Sequence, residues 1–239
     1  MIFNGEEYTI QFWQGESLGN ILAIDTETTI KPFTETPDLV TFQVFDGESL
    51  YYVDRSLVGD FLKKHVTRTL VFANAPFDVD VIEKHTGNSL KEQIEHGNRL
   101  FDVNIMYRLW KLASVGNVPH RYSLAHISHE LLGIHLDKEE DIRCNFAEFK
   151  DTPTQEIPRV FLEYGAKDVL STYYCFINLR LEISKLNTNT NLSHHIQLLG
   201  ALSLNRMYKN GIGFDEEKAT QLLNKLNSEL EVCHAQMSA

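Results

Sequence analysis

The stretch LAIDTETT, residues 22–29, ends a short apolar run with two carboxylates, Asp25 and Glu27. The run that begins Ile21-Leu22-Ala23-Ile24 reads as a buried strand, where charge is unfavourable unless it is paired or bound to metal. Residues two apart in a strand point to one face, so the two carboxylates stand together, about 6.5 Å apart along the chain. The spacing alone says little in an acidic protein, because Asp-x-Glu recurs at 46/48, 137/139 and 215/217 in turn-like or helix-starting contexts. Only the pair at 25 and 27 follows a buried run.

Around this strand the chain has two regimes. Up to about residue 113 strand-like runs dominate: YTIQFW, ILAIDTE, LVTFQVF, SLYYVD and TLVFANA. Gly47 between the third and fourth predicts a hairpin. Helical patterns interleave at about 56–65, 76–86 and 102–113, and beyond residue 122 only helices are read, at about 123–133, 155–186, 195–210 and 216–237. Pro158 should bend or start the second of these. The polar stretch NTNTNLS, 187–193, reads as a linker, so the last two helices look like a separable appendage. Strands mixed with helices indicate an α/β or α+β layered domain, and there is no internal repeat.

With 239 residues the chain can bury a sizeable core, as one large domain or one domain plus an appendage. No apolar stretch approaches a membrane helix, and MIFNGEEYTI lacks a basic-then-apolar signal pattern. Cys144, Cys175 and Cys233 show no metal spacing and suit a reducing compartment, so a cytoplasmic location is expected. The net charge of −11 argues against coating nucleic acid by electrostatics alone. It leaves a nuclease open, because divalent metals can supply positive charge where phosphate sits.

Two later stretches add candidates. In VFANAPFDVDVI, 71–82, a strand ends near Ala73, Pro76 opens a helix, and Asp78 falls in its first turn. An acid there is also favourable with the helix dipole, and Asn74 could simply cap the turn. A second N-x-x-F-D, Asn98 to Asp102, cautions against the string alone. In FLEYGAKDVLSTYY, 161–174, Tyr164 and Asp168 share a helix face, with Gly165 between them permitting close approach. An amphipathic helix with a marginal tyrosine and a solvated Asp is the plain alternative.

In this order, Asp25-x-Glu27, Asn74-x-x-Phe77-Asp78 and Tyr164-x-x-x-Asp168 resemble the three motifs of the DEDD 3′–5′ exonucleases, tyrosine subclass. FDVNIMYRLW (101–110) and YSLAHISHELLGIHLDK (122–138) resemble the proofreading domain of family-A DNA polymerases. LNRMYKNGIGFDEEKATQLL (204–223) looks like the start of that family's polymerase region. Ala73 departs from the histidine many relatives carry and leaves the metal ligands intact.

The resemblance implies an α/β, ribonuclease H-like mixed sheet flanked by helices over residues 1–190, with a helical segment over 191–239. It implies a metal-dependent 3′–5′ exonuclease that releases nucleoside monophosphates from single-stranded DNA 3′ ends. Two divalent cations, Mg²⁺ or Mn²⁺, would be held by Asp25, Glu27, Asp78 and Asp168, about 3.5–4 Å apart. All-oxygen ligands suit such hard cations. Asp25 would bridge both ions, Glu27 and Asp168 hold the first, and Asp78 support the second. Tyr164 would orient the attacking water, and Asn74 and Thr28 would touch the terminal nucleotide. Asp102 matches a structural position and is the alternative third ligand. The expected partners are a single-stranded DNA 3′ end, or an RNA one, and a polymerase region in cis or in trans, with no membrane. The alternatives are a free-standing ribonuclease D-like trimming nuclease and an inactive docking domain. The His126/His129 pair lacks a third ligand, and His194-His195 is expected to be solvated.

Overall fold

The computed structural model describes residues 1–32, 34–90, 99–136, 140–186 and 190–237. A small antiparallel pair, β1 (Ile2–Phe3) and β2 (Glu6–Glu7), precedes the main sheet. That sheet has the order β3 (Ile10–Phe12), β6 (Leu50–Val53), β5 (Leu39–Phe45), β4 (Ile21–Thr28), β7 (Thr69–Phe72), β8 (Leu100–Asp102). β4, β5 and β6 pair antiparallel, while β3, β7 and β8 join in parallel, so the sheet is mixed. Gly47 turns the β5–β6 hairpin at φ 101°, a conformation open to glycine at no steric cost.

Helices cover both faces: α1 (Val58–Lys64), α2 (Ala75–Thr86), α3 (Val103–Val115), α4 (Leu124–Leu132), α5 (Glu140–Asn145), α6 (Arg159–Ser184), α7 (Thr190–Asn210) and α8 (Glu216–Met237). The period of two divides the sheet cleanly. Leu22, Ile24, Phe42, Val44, Leu70 and Phe72 pack on one side with α1, α2 and α7. Ala23, Phe45 and Val71 face the other way, onto Ala166, Val169 and Phe176 of α6. The result is an α/β sandwich whose central strand, β4, carries the two acids.

α6 starts where the proline predicts, with Pro158 as its cap. β8 and α5 are additional to the elements read from sequence. β8 is too short to show a pattern of its own and forms because it pairs with β7 through Leu70↔Leu100 to Phe72↔Asp102.

The expected linker and the expected setting of His194 require correction. Residues 187–189 of the expected linker, Asn98, and Asp137-x-Glu139 lie outside the described residues. α7 begins at Thr190 and returns to the core, burying Leu198 and Leu202 in the cluster that holds Ile105 and Leu109. His194, expected to be solvated, is buried and stacks on Phe101 with ring centroids 5.0 Å apart. Its Nε2 accepts the Asp102 backbone N–H at 3.0 Å. Burial holds its pKa down at about 4, which keeps that nitrogen free to accept. α8, in contrast, buries no residue. Among the described residues no helix is long and apolar enough to cross a membrane.

Leu198→Ala should therefore lower unfolding free energy by about 3 kcal/mol, the usual result of emptying a fully buried leucine site. Urea unfolding of the full chain measures this, and unchanged stability would mean α7 does not belong to the core.

Candidate active site

β4 delivers Asp25 and Glu27 to the face covered by α6, and α6 delivers Asp168. One carboxylate oxygen from each of the three lies within 4.8 Å of the others. α6 can come this close because position 165 is glycine. A Cβ there would stand 2.6 Å from Gln43 Nε2 and 3.0 Å from Tyr52 Oη. The Tyr52 hydroxyl donates to the Leu162 carbonyl at 2.5 Å and ties α6 to β6.

Opposite the acids, β5 presents Gln43 across from Asp25 and Thr41 across from Glu27. Gln43 Nε2 donates to Asp25 Oδ2 at 2.6 Å, and the Thr41 hydroxyl donates to Gln43 Oε1 at 3.0 Å. Both supporting residues are fully buried, so Asp25 is held in one orientation. Sequence reasoning missed Gln43, Thr41 and Tyr52. The available signal was a polar i, i+2 pair inside the otherwise apolar LVTFQVF, opposite an acidic i, i+2 pair.

Asp78 reaches the end of β4 from the other side, in the first turn of α2, and is nearly fully buried. The Thr26 hydroxyl donates to its Oδ1 at 2.7 Å. Burial raises its pKa to about 7, and Asp102 adds to the shift. Asp25 is raised well above the ordinary carboxylate range, first by desolvation and then by the charges of Glu27, Asp78 and Asp168. Burial, and after it the charges of Glu27, Asp25 and Asp168, raise the Tyr52 phenol and keep it a donor.

The remaining expected residues surround this centre. Tyr164 sits one turn before Asp168, half-buried, its ring 6.0 Å from that of Phe146. Thr28 follows a shift of register between Glu27 and Thr28. Asn74 is exposed at the start of α2, without a side-chain capping bond. Asp102 is engaged elsewhere: the backbone N–H groups of Ala75 and Ile105 donate to it at 2.8 and 3.0 Å. It joins the starts of α2 and α3, which accords with a structural position.

The sequence model of the 3′–5′ exonuclease family matches residues 6–184, three-quarters of the chain. The chain belongs to the 3′–5′ exonuclease family. The family model, together with the fold, supports a DEDD exonuclease domain. Among solved structures it is similar to NrnC of Brucella melitensis, with 22% identity, TM-score 0.61, and coverage of 87% of this chain and 98% of that one. It is also similar to Escherichia coli RNase D, an exoribonuclease involved in structured RNA processing, with 20% identity, TM-score 0.56, and coverage of 87% and 52%. The catalytic core of RRP6 from Trypanosoma brucei follows with 19% identity, TM-score 0.55, and coverage of 75% and 45%. At these identities the likeness is one of fold, and this exonuclease spans about half the length of the RNase D and RRP6 chains. No curated protein matches it.

The family uses divalent metals, and the donor set is compatible with one: three converging carboxylates, of which Asp25 is unfavourably charged without a nearby cation. The same imbalance makes stability pH-dependent. Folded Asp78 keeps its proton to about pH 7, whereas an unfolded aspartate releases it near 4. Its contribution to stability is therefore full below about pH 4 and is lost as pH rises through about 7. His65 and His194, both lowered by burial, act with the opposite sign over part of this window. The comparison with Asp78→Asn cancels them. In EDTA, the variant should gain stability relative to wild type as pH rises from about 4 to about 7. Melting curves across that range test this, and a constant difference would contradict it.

Proposed function

We propose that this domain hydrolyses the 3′-terminal phosphodiester of single-stranded nucleic acid as a free-standing, ribonuclease D-like trimming nuclease. The convergence of Asp25, Glu27 and Asp168 within 4.8 Å, in a chain of the 3′–5′ exonuclease family, carries the reading. Similarity of fold to RNase D and RRP6 supports trimming over proofreading.

Asp25, Glu27 and Asp168, with Asp78 beside them, would hold two divalent cations, Mg²⁺ or Mn²⁺. Bound cations supply Lewis acidity and positive charge at the phosphate. Gln43 fixes the Asp25 carboxylate, and Thr26 fixes that of Asp78. Tyr164, the residue of the tyrosine subclass, orients the attacking water through its hydroxyl. Asn74 and Thr28, flanking the acids, contact the terminal nucleotide. The water oxygen bonds to phosphorus and gives up a proton, the bond to the 3′ oxygen breaks and that oxygen takes up a proton, and a nucleoside 5′-monophosphate leaves.

A second reading, the proofreading part of a family-A DNA polymerase, is favoured by one observation. Residues 204–223, which resemble the start of a polymerase region, run from the end of α7 into α8, and α8 buries nothing. A polymerase region in cis or in trans would then be the partner.

Incubation with 3′-labelled single-stranded RNA and DNA, in EDTA, Mg²⁺ or Mn²⁺, separates the readings. Metal-dependent release of labelled monophosphate from RNA supports trimming, degradation of DNA alone supports proofreading, and degradation of neither overturns both. Asp25→Ala should reduce the rate by about 10²–10³-fold or more, the scale of losing preorganised charge stabilisation. Tyr164→Phe should reduce it by a smaller factor. Equal losses would refute the division of roles.

A further inference from the structure

The chain carries a net charge of −11, yet lysines from separate parts of the fold gather beside the acids. The backbone of Asp38 pairs with Thr29, two residues beyond Glu27: the Thr29 N–H donates to the Asp38 carbonyl at 2.9 Å. The Asp38 N–H donates to the Thr29 hydroxyl at 3.0 Å. Lys31, on the β4–β5 connection, places Nζ 3.3 Å from the Asp38 carboxylate. Lys84, in the last turn of α2, reaches it at 2.6 Å, and Lys150, beyond α5, at 2.8 Å. Lys209, near the end of α7, joins the same group through Thr36 at 2.6 Å and through Asp80. The Thr36 hydroxyl in turn donates to Asp80 at 2.6 Å. Nearby Arg206 and Glu83 form their own pair at 3.2 Å.

Ion pairing for stability does not account for this grouping. One lysine neutralises Asp38, and each further ammonium adds repulsion to a surface pair that contributes about 0–1 kcal/mol. Four lysines against Asp38 and Asp80 leave a local excess of positive charge. Lys84 also donates to the Thr36 carbonyl at 2.6 Å, yet Lys84 and Lys150 keep 40% and 49% of their side-chain surface open to solvent, so each has a donor left for a ligand. At about 3.3 Å per strand residue, Asp38 stands roughly 7 Å past Glu27.

We propose that Lys31, Lys84 and Lys150 form a phosphate-binding rim that holds the backbone of the substrate strand upstream of the scissile bond. It rests on the nuclease reading for the identity of the strand. Asp38 is the hub that aligns the three ammonium groups, and Lys209 anchors the connection beneath them. Contact through phosphate gives affinity without sequence preference, as an exonuclease moving along a strand requires.

The test reads binding, not hydrolysis. Anisotropy of a 5′-labelled single-stranded oligonucleotide is measured in EDTA as a function of salt, for the full chain and for Lys84→Ala/Lys150→Ala. The double variant should bind at least several-fold more weakly, with a salt slope shallower by about 1.4, from about 0.7 for each lost contact. Lys84→Arg/Lys150→Arg should retain most of the slope. Lys63→Ala/Lys225→Ala, which removes exposed lysines elsewhere, should leave it unchanged. An unchanged slope in the first variant, an equal loss in the Lys63/Lys225 variant, or no binding by wild type overturns the rim. Lysine-dependent binding without hydrolysis in Mg²⁺ or Mn²⁺ would uphold the rim as a nucleic-acid site and reject the exonuclease reading.

Discussion

Mutual repulsion among carboxylates on one strand end is the constraint around which this molecule is arranged. Asp25 and Glu27 share a face because a strand repeats every two residues, and α6 adds Asp168 to that face. Nothing in the hydrophobic core draws three acids together. They are held there by a donated hydrogen bond from Gln43, by the Tyr52 link to α6, and by a glycine that removes the Cβ from the contact. The sheet and the long helix act as two rigid plates, each setting the position of part of the charge. Asp78 is brought in from the opposite face of the same strand, where Thr26 receives it. Such an arrangement stores unfavourable electrostatics in the folded chain, and bound positive charge relieves it.

Much of this was legible in the sequence, for physical reasons that differ by element. β4 opens on the apolar run Ile21–Ile24 and β5 is mostly apolar, and the chain has nowhere but a sheet interior to put them. α6 is announced by Pro158, which fixes its first turn, and its Tyr164 and Asp168 spacing places both on one face. The order of the acidic motifs narrowed the chemistry further than any single motif could. The support around Asp25 was less accessible, because it depends on register: only the pairing of residue 25 with 43 and of 27 with 41 makes Gln43 and Thr41 meaningful. β8 forms through its pairing with β7, and Leu100-Phe101-Asp102 shows no strand pattern of its own.

The setting of His194 was misjudged for a related reason. A polar stretch and two adjacent histidines suggest solvent, yet His194 turns inward to take the backbone N–H of Asp102. That single contact couples the C-terminal part of the chain to the start of α3, and through Asp102 to the start of α2, where Asp78 lies. Average charge misled in the same way. A net of −11 conceals a lysine cluster beside the acids, because composition carries no information about where the fold brings side chains together.

The central claim is that these acids form a cation site, and the melting temperature reads it without relying on turnover. Metal that binds only the folded chain stabilises it by about 2.7 kcal/mol at a hundredfold excess over Kd. For a domain of this size each kcal/mol moves the melting point by roughly 2–4 °C. Wild type should therefore melt several degrees higher in Mn²⁺ than in EDTA, while Asp25→Asn, lacking the central ligand, should show little difference. No metal-dependent shift in wild type, or an equal shift in the variant, would contradict the account.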